Sequence, residues 1–328
     1  MFDKSTVLIT GGTGSFGTAF CKWILEKYNP KKVLIFSRDE IKQWDMETKF
    51  KDERIRFFIG DVRDKDRLYR ALDGIDYVVH AAALKIVPVA EYNPFESIKT
   101  NIIGSMNLID AAIDMNVKKV VALSTDKASS PVNLYGATKL ASDKLFTSAN
   151  SYSGSKDTKF SVVRYGNVMG SRGSIIPFLL SVEKNQKVPI TDMRMTRFMI
   201  TMEKAIELVE TCFQDMKGGE IYVKKIPSIK IIDLINYIIP DAKLKVIGIR
   251  PGEKLHEQMI GDADSWYTYS YESYFKIISQ NLSNHDDLIR GGELVPENFV
   301  YSSDKNNEWI KKQKFLDWLE NYKLSSIM

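Results

Sequence analysis

The chain is poor in the residues that build disulfide frameworks and metal sites. Among its 328 residues are two cysteines and three histidines. Cys21 and Cys212 lie far apart, which excludes a disulfide scaffold and points to a reducing compartment. The histidines are dispersed, and no spacing matches a metal site. No apolar run is long enough to span a bilayer. Met1-Phe2-Asp3-Lys4 does not open a signal peptide, because Val7-Leu8-Ile9 reads as a short strand. The expectation is a soluble, cytoplasmic protein with no membrane partner. Net charge is only +4, with both signs interspersed. That argues against a nucleic-acid partner and suits a site for a few phosphates. Internal repeats and low-complexity tracts are also absent. What is present is 44% hydrophobic residues, enough for one large domain or a core domain with a smaller companion.

The first half alternates short β-branched runs with amphipathic stretches. Strands are expected at Thr6–Thr10, Val33–Phe36, Arg56–Ile59, Tyr77–Ala81, Val120–Ser124 and Phe160–Arg164. Helices are expected between them at Phe16–Tyr28, Glu40–Phe50, Lys65–Leu72, Pro94–Met115 and Leu134–Ala149. Buried strands alternating with helices predict an α/β fold, a Rossmann-type doubly wound parallel sheet. A helix over Glu203–Met216 and a strand at Glu220–Val223 would return to that sheet. The sheet domain would cover residues 1–167 and about 194–228, and a smaller C-terminal α/β domain about 168–193 and 229–328. In the smaller domain, Gly170-Ser171-Arg172-Gly173-Ser174 reads as a loop and Ile229–Ile239 as a helix. Aromatics from Trp266, Tyr267 and Tyr269 onward would pack over that domain. His80, inside an apolar strand, reads as a satisfied core histidine, and His256 as structural.

Thr10-Gly11-Gly12-Thr13-Gly14-Ser15-Phe16-Gly17 follows the first strand and opens the first helix. Glycines at 11, 14 and 17 allow a tight turn and close backbone approach to a pyrophosphate at the helix N-terminus. A glycine triplet alone is a weak signal; the strand–turn–helix context makes it a dinucleotide site. The second strand ends in Ser37-Arg38-Asp39, with Lys42 a turn later. A small hydroxyl followed by a guanidinium suits a ribose 2′-phosphate, which favours NADP over NAD. A solvated Arg38 and an Asp39 that caps a helix are the plainer alternative. Asp61 and Val62 close the third strand, where Asp61 would meet the adenine amine. Ala81 and Ala83 leave room for the cofactor, and Lys85 follows toward the strand ends where ligands collect.

The stretch Ser124–Lys139 carries the chemistry. Tyr135 and Lys139 share one helix face, and a lysine beside a tyrosine favours the phenolate as a base. Thr125-Asp126-Lys127 adds a second acid/base pair just upstream, unless it is an ordinary strand-end turn. Simple alcohol oxidation needs only the first pair.

Together these residues resemble the extended short-chain dehydrogenase/reductase superfamily. The blocks Asn167–Ser174, Ile190–Phe198 and Arg250-Pro251-Gly252-Glu253-Lys254-Leu255-His256-Glu257, with Asp126-Lys127, narrow the resemblance to inverting nucleotide-sugar 4,6-dehydratases. Relatives acting on dTDP-glucose usually carry Asp-Glu at the place of Asp126-Lys127, and membrane-anchored relatives usually have methionine at the place of Tyr135. The resemblance implies NADP as cofactor, UDP-N-acetylglucosamine as substrate, an early step of pseudaminic acid synthesis, and a homo-oligomer, a hexamer. It implies Tyr135 as the C4 base, with Lys139 holding the phenolate and Thr125 orienting the C4 oxygen. Lys127 would be the C5 base and Asp126 the acid for the C6 hydroxyl. Such a lysine must be neutral and such an aspartic acid protonated, and a close ion pair opposes both. Arg197 and Arg250 would meet the UDP diphosphate, Glu253 the uridine ribose, and Asn167, Arg172 and Lys85 the substrate. A nucleotide-sugar 4-epimerase needs Tyr135 and Lys139 without the Asp126-Lys127 pair, and a non-catalytic NADP sensor needs neither.

Overall fold

The computed structural model describes residues 1–183, 186–278 and 285–327. Six parallel strands lie at its centre: β1 (Thr6–Thr10), β2 (Lys32–Ser37), β3 (Ile55–Ile59), β4 (Tyr77–His80), β5 (Lys119–Thr125) and β6 (Lys159–Tyr165). Every residue of β1 is buried, as expected for a strand covered on both faces. The spatial order is β3-β2-β1-β4-β5-β6, and Glu220–Lys224 follows β6 in parallel. The chain runs outward from β1 to β3, then restarts at β4 and runs the other way. That reversal opens a crevice beyond the C-terminal ends of β1 and β4, where ligands of such sheets bind. The helix Ser15–Lys27 covers the sheet by burying Gly17, Phe20, Cys21 and Ile24, one stripe at helical spacing. Full burial of Phe20 contributes roughly 2–3 kcal/mol.

The sheet does not end where its sequence pattern does. Tyr274–Ile278 pairs antiparallel with Glu220–Lys224, and Thr268–Ser270 and Glu293–Leu294 extend it further, giving ten strands. This corrects the assignment of everything after residue 229 to the smaller domain. Without these strands Glu220–Lys224 would present an unpaired edge, which folded proteins cover. The aromatics of this region pack accordingly. Phe275 meets Phe299 and Tyr301 in the core under the large sheet, not over the smaller unit, and Trp266 is mostly exposed.

The smaller unit has its own core, including Met169, Leu179, Ile190, Leu234 and Phe315. Thr196–Ile200 is its central strand, flanked by Asn167–Val168 and Ser228–Lys230, so this part of the 194–228 segment does not return to the large sheet. The expected helix Ile229–Ile239 therefore starts late, at Ile231, and runs to Ile238. The expected helix Pro94–Met115 is broken by a π-helical turn, Lys99–Ile103. That turn aims Asn101 at the loop after β4: its amide exchanges hydrogen bonds of 2.9 Å with both backbone groups of Leu84 and donates to Thr138 Oγ1 at 3.0 Å. Among the described residues no helix is long and apolar enough to cross a membrane.

Candidate active site

A cavity of about 1170 Å³ opens at the crevice, between the large sheet and the smaller unit. Its size exceeds that of a site for one small ligand and suits a dinucleotide beside a second nucleotide. Apart from Asp126, every residue singled out from sequence for cofactor, substrate or catalysis lines it.

One end is built mostly from backbone. Gly11 has φ +63, and a Cβ there would lie 2.9 Å from the backbone of Ala82. Gly14 caps the helix Ser15–Lys27 without any side-chain hydrogen bond, which leaves its first-turn N–H groups free for an anion. Thr10 Oγ1 holds the turn, bonding His80 Nδ1 at 2.8 Å and accepting the Ala82 N–H at 3.2 Å. His80 is the buried core histidine expected, with burial first and the charge of Lys139 second pushing its pKa down to about 3. At the end of β2, Gln43 donates to both the carbonyl and hydroxyl of Ser37 at 3.1 Å. Asp39 caps the helix Glu40–Phe50 through the Lys42 N–H and pairs with Lys42 Nζ at 2.5 Å. Arg38 is 55% exposed and lies 3.8 Å from Asp61. Asp61 is engaged more closely by Arg63, at 2.6 Å. Burial works against the Asp61 carboxylate, but Arg63 outweighs it and holds the group below the usual range.

The opposite end is built from side chains. β5 delivers Thr125, and a short 3-10 turn, Asp126–Ala128, follows it. The helix Leu134–Ala149 begins at Asn133, which accepts the Gly136 N–H at 2.8 Å and donates to Gly252 O at 2.7 Å. A Cβ on Gly136 would sit 2.2 Å from the Lys127 carbonyl, so only glycine lets this helix pack on the turn. The packing brings Tyr135 to Thr125, its hydrogen-bond partner, and beside Lys127. Burial pushes the Tyr135 phenol up to about 12, against the pull of the Lys127 charge and the Thr125 bond. Lys139 is itself buried and lowered by that burial, with Asp143 acting the other way.

Lys127 Nζ lies 3.1 Å from Asp126 Oδ1 and 3.1 Å from Glu257 Oε1. Burial disfavours its charge, but the two carboxylates dominate and raise its pKa well above the ordinary lysine value. The close ion pair that would oppose a neutral lysine is therefore present. Asp126 is 1% exposed and does not border the cavity; Thr125 Oγ1 donates to its Oδ1 at 2.9 Å. Glu257, which sequence reading left without a role, does border it.

The expected substrate residues divide. Arg250 is 59% exposed and ion-paired with Glu253 at the cavity wall. Arg197 is turned inward: its guanidinium donates to the carbonyls of Thr196, Leu255 and Lys254, and its Nε faces Glu257 at 3.6 Å. It braces the Arg250–Glu257 segment. Arg172 donates to Thr13 O at 2.9 Å and so joins the smaller unit to the glycine turn. Burial, then the charge of Arg172, lowers Lys85. Asn167 Oδ1 and Ser174 Oγ are buried without a protein partner on the cavity wall, as acceptors awaiting a ligand would be.

Residues 7–279 match the family described as polysaccharide biosynthesis protein. The chain belongs to this family. It is 52% identical, over 97% of its length and 98% of the relative's, to the UDP-N-acetylglucosamine 4,6-dehydratase (inverting) of Campylobacter jejuni. It is 40% identical, over 84% of each chain, to a UDP-glucose 4-epimerase of Rickettsia canadensis. Among solved structures, Pen from Bacillus thuringiensis superposes with a TM-score of 0.91, at 40% identity and covering 99% of both chains. A dTDP-glucose 4,6-dehydratase from Streptomyces venezuelae, at 23% identity and a TM-score of 0.70 over 76% of this chain and 86% of that one, shares the fold.

Proposed function

We propose that the chain dehydrates UDP-N-acetylglucosamine across C5 and C6, inverting C5 and leaving a 4-keto-6-deoxy sugar nucleotide. The observation that carries this reading is the position of Lys127, which lies between two carboxylates beside Tyr135 in one cavity. The large sheet holds the cofactor and the smaller unit holds the UDP moiety.

The turn around Gly11, the uncapped helix start at Gly14 and the small side chains of Ala81 and Ala83 fit a nicotinamide dinucleotide. Ser37, Arg38 and Lys42 favour NADP, because Asp39 is turned into a helix cap and paired with Lys42. Held by these residues, the oxidised nicotinamide would supply a hydride acceptor for C4 and, once reduced, a hydride donor for C6. Tyr135 takes the C4 hydroxyl proton, with Thr125 fixing the oxygen. The resulting ketone acidifies C5–H. Neutral Lys127 then takes the C5 proton while the C6–O bond breaks, and protonated Asp126 supplies the proton with which that oxygen leaves as water, passed on by the Thr125 hydroxyl 2.9 Å from its Oδ1. Transfer of one proton from Lys127 to Asp126, across 3.1 Å, converts their ion pair into this reactive form. A solvent proton then reaches C5 on the face opposite Lys127, which inverts that carbon; Lys127 gives its own proton up to solvent, and the Tyr135 proton restores Asp126. Arg250 meets the diphosphate and Glu253 the uridine ribose. The product enters pseudaminic acid synthesis, and the enzyme works in the cytoplasm as a homo-oligomer, a hexamer.

Incubation with UDP-N-acetylglucosamine and NADP in deuterated water tests the reading. The expected product is lighter than substrate by one water, carries deuterium at C5 and has inverted C5 by NMR. The Rickettsia relatives give a second reading, 4-epimerisation; a product of unchanged mass would establish it instead.

A further inference from the structure

We propose that Glu257 is a positioning residue of the elimination step: it pins the Lys127 amine at the cavity wall and shares its proton with Asp126. The proposal rests on the dehydratase reading and adds to it a residue that the Asp126-Lys127 pair does not include.

Glu257 is placed as firmly as any residue in the site. Its N–H donates to Ser303 Oγ at 2.9 Å, and its carbonyl accepts the Ser303 N–H at 2.8 Å. Ser303 Oγ in turn bonds Thr196 Oγ1 at 2.7 Å, on the strand that carries Arg197. The side chain is 3% exposed, yet it borders the cavity. Oε1 faces Lys127 and Arg197, while Oε2 is buried without a partner. Asp126 Oδ2 is buried without a partner as well. Lys127 thus sits between two carboxylates, each with one oxygen engaged and one spare. Of the three ammonium protons, one is donated to Asp126 Oδ1, and Glu257 Oε1 is an ionic partner 3.1 Å away.

The charges explain what this arrangement does. Lys127 is faced by Asp126 from its own turn, by Tyr135 from the helix, by Arg197 from the neighbouring strand, and by Lys254 and Glu257 from one segment. With Glu257 ionised, two carboxylates balance three cations. Without it, one carboxylate faces all three. Glu257 therefore strengthens Lys127 as a base for C5–H, because the ammonium formed is held by two anions. Arg197 Nε lies 3.6 Å from the same Glu257 oxygen and competes with Lys127 for it, so the Lys127 proton passes to Asp126, its hydrogen-bond acceptor, when the amine must be free.

The test is the kcat–pH profile of Glu257→Gln, which keeps the shape and removes the charge. Removing an anion makes the remaining protons easier to lose, so both limbs should move to lower pH by roughly one to two units. kcat should fall about tenfold or more, with KM little changed. Glu257→Asp keeps the charge and should give limbs between those of Gln and wild type. NADP binding, measured by fluorescence, reports that the variants are folded; if the Gln variant fails to bind, the Asp profile decides by the direction of its shift. A loss of activity with unmoved limbs would make Glu257 merely structural and overturn the proposal, as would wild-type turnover. A dehydrated wild-type product with unmoved variant limbs overturns this proposal alone. A wild-type product of unchanged mass overturns the dehydratase reading, and this proposal with it.

Discussion

The two ends of the cavity are made in different ways. The cofactor end is a backbone surface: a glycine turn, a bare helix N-terminus and small side chains. The sugar end is a cluster of charged side chains, Asp126, Lys127, Arg197, Lys254 and Glu257, with Tyr135 against them. A backbone surface recognises a shape that many enzymes share, and the charged cluster selects one reaction. Substitutions at the two ends should therefore fail differently.

The sharpest separation is expected at Lys127. Lys127→Ala removes the proposed C5 base and should lower dehydration by about a thousandfold or more. It should leave NADP binding intact, since the glycine turn is untouched. Mass spectrometry of the product and a cofactor titration on the same sample measure both. Near wild-type turnover would remove the difference between the ends.

The reverse separation belongs to Gly17. A Cβ there would lie 2.5 Å from Gly12 Cα, a backbone contact that cannot rotate away. Gly17→Ala should destabilise the fold by roughly 1–3 kcal/mol and displace the turn that receives the pyrophosphate. The expected result is a lower melting temperature together with loss of cofactor binding. A variant that melts earlier but binds NADP normally would show that the turn tolerates the shift.

The same division governs what the sequence made legible. The cofactor end is a contiguous pattern, so its turn, its helix and its flanking strands could be read directly. The helices Glu40–Phe50, Lys65–Leu72 and Leu134–Ala149 also fall on their expected bounds, because caps at Asp39, Asp64 and Asn133 mark their starts. Glu257 was not legible in the same way. It stands at the end of the Arg250 block, but its role depends on Lys127, brought to it only by the fold. The inward turn of Arg197 is hidden for the same reason, since its partners are backbone carbonyls of a distant segment. Asn101 lies in an otherwise ordinary helical pattern, and nothing in that pattern announces a π-turn. The added antiparallel strands are two to five residues long, too short for alternation to identify the sheet they join.

His80 connects the two ends and gives a smaller effect. Its pKa of about 3 lies below the ordinary imidazole value of 6.5. The unfolded chain therefore binds more protons than the folded one between about pH 6.5 and 3. The sign follows: the contribution of His80 is complete above pH 6.5 and is lost as pH falls through that window. By pH 5 the loss is on the order of 2 kcal/mol. Denaturant melts at pH 7 and pH 5 should differ by that amount in wild type and by less in His80→Gln. An equal pH dependence in both proteins would assign the acid sensitivity to other groups.

The smallest expected effect tests the cofactor end where it does use a side chain. Arg38 is more than half exposed, and among the described residues its ionic partner is a carboxylate 3.8 Å away, Asp61. Solvent screens such a guanidinium, so its contact with a 2′-phosphate is worth about 1 kcal/mol. Arg38→Ala should weaken NADP about fivefold and leave NAD unchanged, because NAD carries no 2′-phosphate. Dissociation constants for both cofactors at two salt concentrations settle the matter. The NADP loss should shrink as salt rises. Equal weakening of the two would mean that Arg38 shapes the adenosine pocket through Asp61, and the preference would then rest on Ser37 and Lys42.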